Sequence, residues 1–496
     1  MTRHRAVTRG LAVVAVLGMA GALASACSTT ADEPAPTVTW GACPEDVVTE
    51  AAPSRLDCAT VPVPLDYADP DGTRIDLTIS RLASPNPDKR RGVLMLNPGG
   101  PGESGLAFSA FLVKLGLPAS VTDSYDVIAM DTRGIKYSAP VHCGFTGEGP
   151  YIGNIPPYAV DDAAVLARAT EVEAVARQCA SNDSEGRLRH LSTANKARDL
   201  DRIRAALGEE KTNFLGYSYG TALGAAYASL FPERTDRIVL DSNVGTTHLD
   251  QDGMRRYSLG TEETFPAFAA WAAQRDDEYG LGRTPEEVRA TYFELAHRLD
   301  DNPRPDMNGP AFRSVLFGLL FAESGYPALA ELWQALRTDA PLPAPPRETP
   351  DLASYDNSWT VFLAVTCNDI DWPEDVETYR RAVAEDRDRY PLFGAAPANI
   401  TPCAYWPFEP AEQPVEISQD GPSNILLVQN RRDVPTPHVG GEMLREQFGD
   451  RARLVSVDAS GHGAYVLGKN ACAQDVTTAY LVDGTMPEDD VSCAAP

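Results

Sequence analysis

The sequence predicts an α/β fold: a mostly parallel central sheet flanked by helices, interrupted by a long helical insertion. Three observations carry this. Runs such as Gly92-Val93-Leu94-Met95-Leu96-Asn97, Tyr125-Asp126-Val127-Ile128-Ala129-Met130 and Arg237-Ile238-Val239-Leu240-Asp241 are almost wholly apolar, as strands covered on both faces must be. Stretches at 160–179 and 194–207 have helical spacing with charged outer faces, and strands alternating with helices imply parallel pairing. From 244 to 416 the texture changes. Aromatics and leucines recur at helical intervals (Phe265, Phe268, Trp271; Tyr292, Leu295, Leu299), broken by a proline cluster at 341–346.

Taken in order, the chain opens on a targeting segment. Arg3, Arg5 and Arg9 precede an apolar run at 11–26 that ends in Ala24-Ser25-Ala26-Cys27. Ala24 and Ala26 suit an ordinary signal peptidase, whereas a cysteine after small residues suits lipidation of Cys27. The lipoprotein pattern prefers leucine three places before the cysteine, and here Leu23 is one place too far. Residues 1–26 are thus expected as a signal peptide and 27–39 as a flexible tether rich in Thr, Ala and Pro.

With Cys27 set aside, eight of the nine cysteines remain: Cys43, Cys58, Cys143, Cys179, Cys367, Cys403, Cys472 and Cys493. An even number in an exported chain reads as a disulfide framework, whose connectivity spacing alone leaves open. Sequential pairing is the simplest. None has the C-x-x-C spacing of zinc or thioredoxin-like sites, and no metal is expected.

The first core part is expected over 40–243. Arg74-Ile75-Asp76-Leu77-Thr78-Ile79-Ser80 alternates as a half-exposed strand does. The buried run at 92–97 ends in Asn97-Pro98-Gly99-Gly100-Pro101-Gly102-Glu103-Ser104-Gly105. Gly100, Gly102 and Gly105 match a dinucleotide-binding fingerprint formally. Pro101, however, removes a phosphate-binding N–H, and an exported chain rarely meets NAD. The favoured reading is an oxyanion loop with the Gly100 N–H as one donor and no cofactor. The helical insertion is expected over 244–416. The second core part, 417–496, resumes with Asn424-Ile425-Leu426-Leu427-Val428-Gln429 and Arg453-Leu454-Val455-Ser456-Val457, then a closing helix at 472–481.

Everything turns on Lys211-Thr212-Asn213-Phe214-Leu215-Gly216-Tyr217-Ser218-Tyr219-Gly220 and the small-residue helix expected over 221–230. A serine forced onto a sharp strand-to-helix turn needs glycine two residues before and after it, where no side chain fits. Its hydroxyl then stands above the sheet, with the Tyr219 N–H as the second oxyanion donor. A base and an orienter should follow in the order acid, then histidine. Asp433 lies after the first resumed strand and His462 in a glycine-flanked loop after the second. Of the seven histidines only His438 and His462 follow Asp433; His438 is too close to fold back over it. Asp458 is the rival orienter, but belongs to the histidine's own loop.

These motifs, with Asp131-x-Arg133-Gly134, Tyr227-Ala228, Phe231-Pro232, Cys367-Asn368-Asp369-x-x-Trp372-Pro373 and Tyr480-Leu481-x-x-Gly484-Thr485-x-Pro487, resemble secreted bacterial α/β-hydrolases of the tripeptidyl-aminopeptidase type, relatives of proline iminopeptidases. The resemblance implies an α/β-hydrolase fold with a helical cap at 244–416, and Ser218, Asp433 and His462 as the triad. It implies release of short peptides from free N-termini of peptides or proteins. That activity needs a buried carboxylate in the cap for the substrate ammonium, with Asp369 preferred to the other candidates, Glu262 and Glu263. Two departures stand out: 430–437 lacks the usual Gly-x-x-Asp-Pro-Val-Thr-Pro, and Tyr217 occupies a place where glycine is frequent. The rival function for the same triad is a carboxylesterase or lipase.

A net charge of −27 with no basic run in the mature part argues against nucleic-acid partners. The expected location is outside the cytoplasm, at the surface if Cys27 is lipidated and the chain tethered to the membrane. Oligomeric state is not readable from the chain.

Overall fold

The computed structural model describes residues 38–147, 149–344 and 352–495. Residues 1–26, Cys27 and most of the tether lie outside the described residues. Ten strands form one sheet: β1 (Gly41–Ala42), β2 (Asp57–Pro64), β3 (Arg74–Leu82), β4 (Val93–Asn97), β5 (Asp126–Met130), β6 (Thr212–Tyr217), β7 (Thr235–Asp241), β8 (Ile425–Arg432), β9 (Ala452–Ser460) and β10 (Val491–Cys493). Their order is β1-β2-β3-β5-β4-β6-β7-β8-β9-β10. The β1 to β3 end is antiparallel, and β3 meets β5 antiparallel. From β5 onward every pairing is parallel. This is an α/β-hydrolase sheet.

Alternation along the buried strands explains their apolar composition. Val93 and Met95 of β4, Phe214 of β6, and Ile425 and Leu427 of β8 enter one apolar cluster. Leu94 and Leu96, Leu215 and Tyr217, and Leu426 and Val428 enter a second cluster on the other face. Both faces of these strands are covered, so the residues named here are apolar on either side; the buried polar pair Gln429 and Asn430 comes only towards the end of β8.

Between β7 and β8 the described residues add no strand to the sheet. It runs through helices Gln251–Ala273, Asp276–Tyr279, Pro285–Asp301, Gly309–Leu319, Tyr326–Arg337, Leu352–Asn368 and Val376–Arg389. Their aromatics gather around buried Trp333, whose ring centre is 5.2 Å from Phe268, 5.6 Å from Tyr292 and 5.7 Å from Phe312. Those side chains are packing, which accounts for their helical spacing in the sequence.

Three strands, β1, β2 and β10, have no counterpart in the sequence analysis. β2 carries Pro62 and Pro64, which cannot donate to a ladder. Its outer neighbour β1 reaches only Cys58 and Asp57, so the prolines stand on an open edge where no ladder bond is lost. β10 is short and pairs with β9 after the closing helix Ala471–Asp483. Helix limits also shift: the stretch expected at 160–179 runs Asp162–Asn182, opened by the Asp161 carboxylate accepting from the Ala164 N–H. The helix after the elbow starts at Tyr219 rather than 221.

The cysteines join sequentially, Cys43 to Cys58, Cys143 to Cys179, Cys367 to Cys403 and Cys472 to Cys493. Four disulfides fit a chain that matures in an oxidising compartment. The Asp131-x-Arg133 motif is structural. Arg133, fully buried, makes a two-pronged ion pair with Asp199 at 2.7 Å for each bond. Leaving either charge buried without the other would cost about 3–5 kcal/mol.

Candidate active site

Ser218 sits between β6 and the Tyr219–Leu230 helix with φ 55° and ψ −124°. This is a backbone region that costs a non-glycine residue about 1–3 kcal/mol and recurs at functional turns. The turn is that tight because its surroundings leave no space. A Cβ on Gly216 would lie 2.4 Å from the Gly220 carbonyl oxygen, and one on Gly220 would lie 2.8 Å from the Asn97 carbonyl oxygen. The Ser218 N–H donates to the Asp241 carbonyl at 3.0 Å, tying the turn to the end of β7. The hydroxyl is partly exposed while every neighbour in the turn is buried.

The glycine loop after β4 abuts this serine. Gly99 has φ +97°, and a Cβ there would fall 2.7 Å from the Ser218 Cβ. Only glycine combines that backbone with that approach. The Gly100 N–H has no acceptor in the protein among the described residues. Tyr219 opens its helix, so its N–H has no carbonyl one turn back. Both predicted oxyanion donors are therefore available beside the serine. The loop is pinned downstream by buried Asp131, which accepts from the Ser104 hydroxyl at 2.6 Å and the Gly105 N–H at 3.1 Å.

His462 and Asp433 meet, as the strand order requires. The imidazole Nδ1 lies 3.0 Å and 3.1 Å from the two Asp433 oxygens. Asp433 is buried, and it also accepts from the Thr436 N–H at 3.1 Å and the Ser242 hydroxyl at 2.7 Å. Burial alone would lower the His462 pKa; the Asp433 carboxylate, and then Asp241, outweigh it and hold the imidazole above its ordinary value. Asp458, the rival orienter, instead bonds Arg432. His438 bonds Ser456 and stands near Glu442, away from Asp433.

Asp241 enters the sequence analysis only as the end of an apolar run, with no role. It is buried at the end of β7 and accepts from the Ala464 N–H at 2.9 Å and the Tyr465 N–H at 2.6 Å. It thereby fixes the loop that carries His462. Burial raises its carboxyl to about 7, against the pull of those N–H groups and with the repulsion of Asp433. Ser242 completes the bridge, since its oxygen also accepts from the Gly463 N–H at 2.8 Å. A buried serine next to a strand-end aspartate offered no sequence signal.

The three acidic candidates separate. Asp369 is buried with both oxygens taken by Thr193, from its N–H at 2.6 Å and its hydroxyl at 2.5 Å. Glu262 bonds Arg289 at 3.0 Å and the Leu392 N–H at 2.9 Å. Glu263 is solvent-accessible and has no ion-pair or hydrogen-bond partner among the described residues. Partial burial, then the like charge of Glu442, hold its carboxyl above the ordinary glutamate range. One turn earlier, Gly260 packs on the Val434 and Asp433 carbonyls, so this helix face overlooks the Asp433 loop. The helical segment also touches His462: its backbone N–H donates to the Phe321 carbonyl at 2.7 Å, and the two rings meet edge to face. Beside them lies a cavity of about 430 Å³ lined by His462, Phe321, Glu323, Arg432, Ser460 and Lys469, among others.

A family model described as TAP-like protein matches residues 390–493. A tripeptidyl aminopeptidase of Streptomyces lividans is 33% identical over 89% of this chain and 84% of its own length. The serine protease Hip1 of Mycobacterium tuberculosis is 30% identical over 92% and 91%. A protein named carboxylesterase B, also of Mycobacterium tuberculosis, is 29% identical over 93% and 90%. On this sheet, with this strand–serine–helix turn, the chain belongs to the tripeptidyl-aminopeptidase family of α/β-hydrolases and is a hydrolase of the serine peptidase kind.

Proposed function

We propose that the protein is an exported aminopeptidase that releases short peptides, of tripeptidyl type, from free N-termini through Ser218, His462 and Asp433. The observation that carries it is the bond from His462 Nδ1 to the buried Asp433 carboxylate, at the ends of the strands two and three places along the sheet from β6, which leads into the serine turn. In that bond Nδ1 keeps its proton and donates it to the ionised carboxylate, which leaves Nε2 as the base. His462 takes the Ser218 proton as the hydroxyl attacks the scissile carbonyl, and the Gly100 and Tyr219 N–H groups receive the oxyanion. Each such donor lowers the barrier by about 3–4 kcal/mol. The same imidazole then protonates the departing amine, and water releases the acyl-enzyme.

The test is hydrolysis of a tripeptide p-nitroanilide, its N-acetylated twin and a short acyl ester, by the wild type and by Ser218→Ala. Cleavage of the free-amine peptide alone, lost in the variant, is the expected result. Equal cleavage of both peptides would remove the N-terminal requirement. Turnover of the ester alone would support the second reading, a carboxylesterase, which the relative of that name favours.

For the substrate ammonium we assign Glu263, the candidate carboxylate with no partner in the protein. A bound cation would relieve its repulsion from Glu442. Glu263→Gln is expected to raise KM for the free-amine peptide about tenfold, or about 1.4 kcal/mol, and to leave ester turnover unchanged. An unaltered KM would send the assignment elsewhere.

The pH profile follows from His462. The free imidazole must be neutral to accept a proton, and its partners favour the charged form. kcat/KM is therefore expected to rise with pH through an apparent pKa above the usual imidazole value of about 6.5. An acid limb centred below that value would contradict the pairing. Lipidation of Cys27 would hold the enzyme at the outer face of the membrane, which mass spectrometry of the mature N-terminus would decide.

A further inference from the structure

Behind the glycine loop lies a charge that the proposed chemistry does not use. Lys196, on the Thr193–Ala206 helix, is 1% exposed. Its Nζ makes one hydrogen bond, to the Pro101 carbonyl at 2.8 Å. It also stands 5.3 Å from the centre of the Tyr219 ring. Pro101 follows Gly100, and Tyr219 follows Ser218. A single side chain thus touches both residues or segments that supply the oxyanion donors. The Tyr219 hydroxyl meets Thr193 Oγ1 at 2.7 Å, and Thr193 donates in turn to Asp369. The Tyr219 ring is therefore gripped at its face by Lys196 and at its hydroxyl by a residue from the same helix.

As a stabilising device this is poor. An ammonium carries three donors, and burying it with one acceptor costs more than burying a methyl group of similar size. Its neighbours do not remove the cost. Burial drives the Lys196 pKa down to about 7, against the attraction of Asp369 and Asp199 and with the repulsion of Arg133. What the charge does contribute is distance: it fixes the Pro101 carbonyl relative to the Tyr219 ring, and so one donor relative to the other.

We infer that Lys196 is a positioning residue that holds the Gly100 and Tyr219 amides in register for the oxyanion. The inference rests on the serine-hydrolase reading above. Its role differs from that of the donors themselves, since it never meets substrate. Displacing a donor by a fraction of an ångström leaves substrate binding intact and weakens only the tetrahedral state.

The test is Lys196→Met, which keeps the length of the side chain and removes the donor and charge. Expected are a kcat for the tripeptide p-nitroanilide lowered about 10–100-fold, a KM within about threefold of wild type, and a peptide aldehyde bound more weakly by the same factor as kcat. The thermal midpoint at pH 6 should stay level or rise, because the unfolded lysine loses nothing by being charged there while the folded one does. Stability of the wild type should recover relative to the variant as pH rises from 7 towards 10.5, where the fold prefers the neutral amine. Lys196→Gln is read in the same way should the methionine variant not fold. Unchanged kcat and aldehyde affinity would overturn the inference, as would a loss of kcat that tracks a falling midpoint. Labelling of Ser218 by a fluorophosphonate in the wild type separates the two levels: without it the hydrolase reading itself fails.

Discussion

Replacing Ser218 by alanine is expected to lower kcat by about 10⁴–10⁶-fold and to leave the fold and its thermal midpoint nearly unchanged. The first half follows from the nucleophile's place in a unit. Without the hydroxyl, His462 has no proton to move, and what remains is the contribution of oxyanion donors and binding. The second half follows from the local geometry. Alanine meets the same strain as serine at φ 55°, the Ser218 N–H still reaches the Asp241 carbonyl, and the lost hydroxyl has no partner in the protein among the described residues. A stability change beyond about 1 kcal/mol would therefore be surprising. Turnover near the wild-type rate, measured after removal of contaminating wild-type enzyme by active-site titration, would sink the nucleophile assignment.

Asp433→Asn should lower kcat/KM by about 10³–10⁴-fold near neutral pH, with KM little altered. The size comes from the hydrogen-bond inventory around the carboxylate. One oxygen accepts from the Thr436 N–H and the other from the Ser242 hydroxyl, and both face His462 Nδ1. In asparagine the remaining oxygen is claimed by Thr436, which has a hydrogen to give. The new NH₂ must then point to Ser242 and His462. Facing a donor, the imidazole shifts its proton to Nε2, the atom that should receive the serine proton. The site keeps its shape and loses its base. Retention of more than a tenth of the wild-type rate would mean that Asp433 does not orient the base, and Asp241, the other buried carboxylate near His462, would be the next to test.

How much of this is legible in the chain depends on the range over which each constraint acts. The elbow is legible because its requirement is local: Gly216 and Gly220 are demanded by atoms a few residues away or in the adjoining β4 loop. Asp433 and His462 are legible through strand order, since neighbouring parallel strands bring successive strand ends to one edge of the sheet. The acidic candidates are not distinguishable in the sequence. Asp369 and Glu262 look as available as Glu263 until Thr193, Arg289 and the Leu392 N–H arrive from distant segments to occupy them. Lys196 sits among charged neighbours in Asn195-Lys196-Ala197-Arg198-Asp199 and reads there as a solvated helix residue. Only tertiary packing turns it inward. β2 is obscured by its prolines, whose harmlessness depends on the sheet ending at that edge.

The site also has an order in time. Ser218, the proposed nucleophile just after β6, is made before the helices that separate β7 from β8, while Asp433 and His462, the proposed orienter and base, come only with the ends of β8 and β9. On this assignment, a chain emerging from the ribosome or from a translocation channel carries a serine without a base until residue 462 of 496 has appeared. Closing β8 onto β7 must then span the whole helical segment, a slow, non-local step. Such a hydrolase is silent through synthesis and passage, and becomes competent only once the final strands dock.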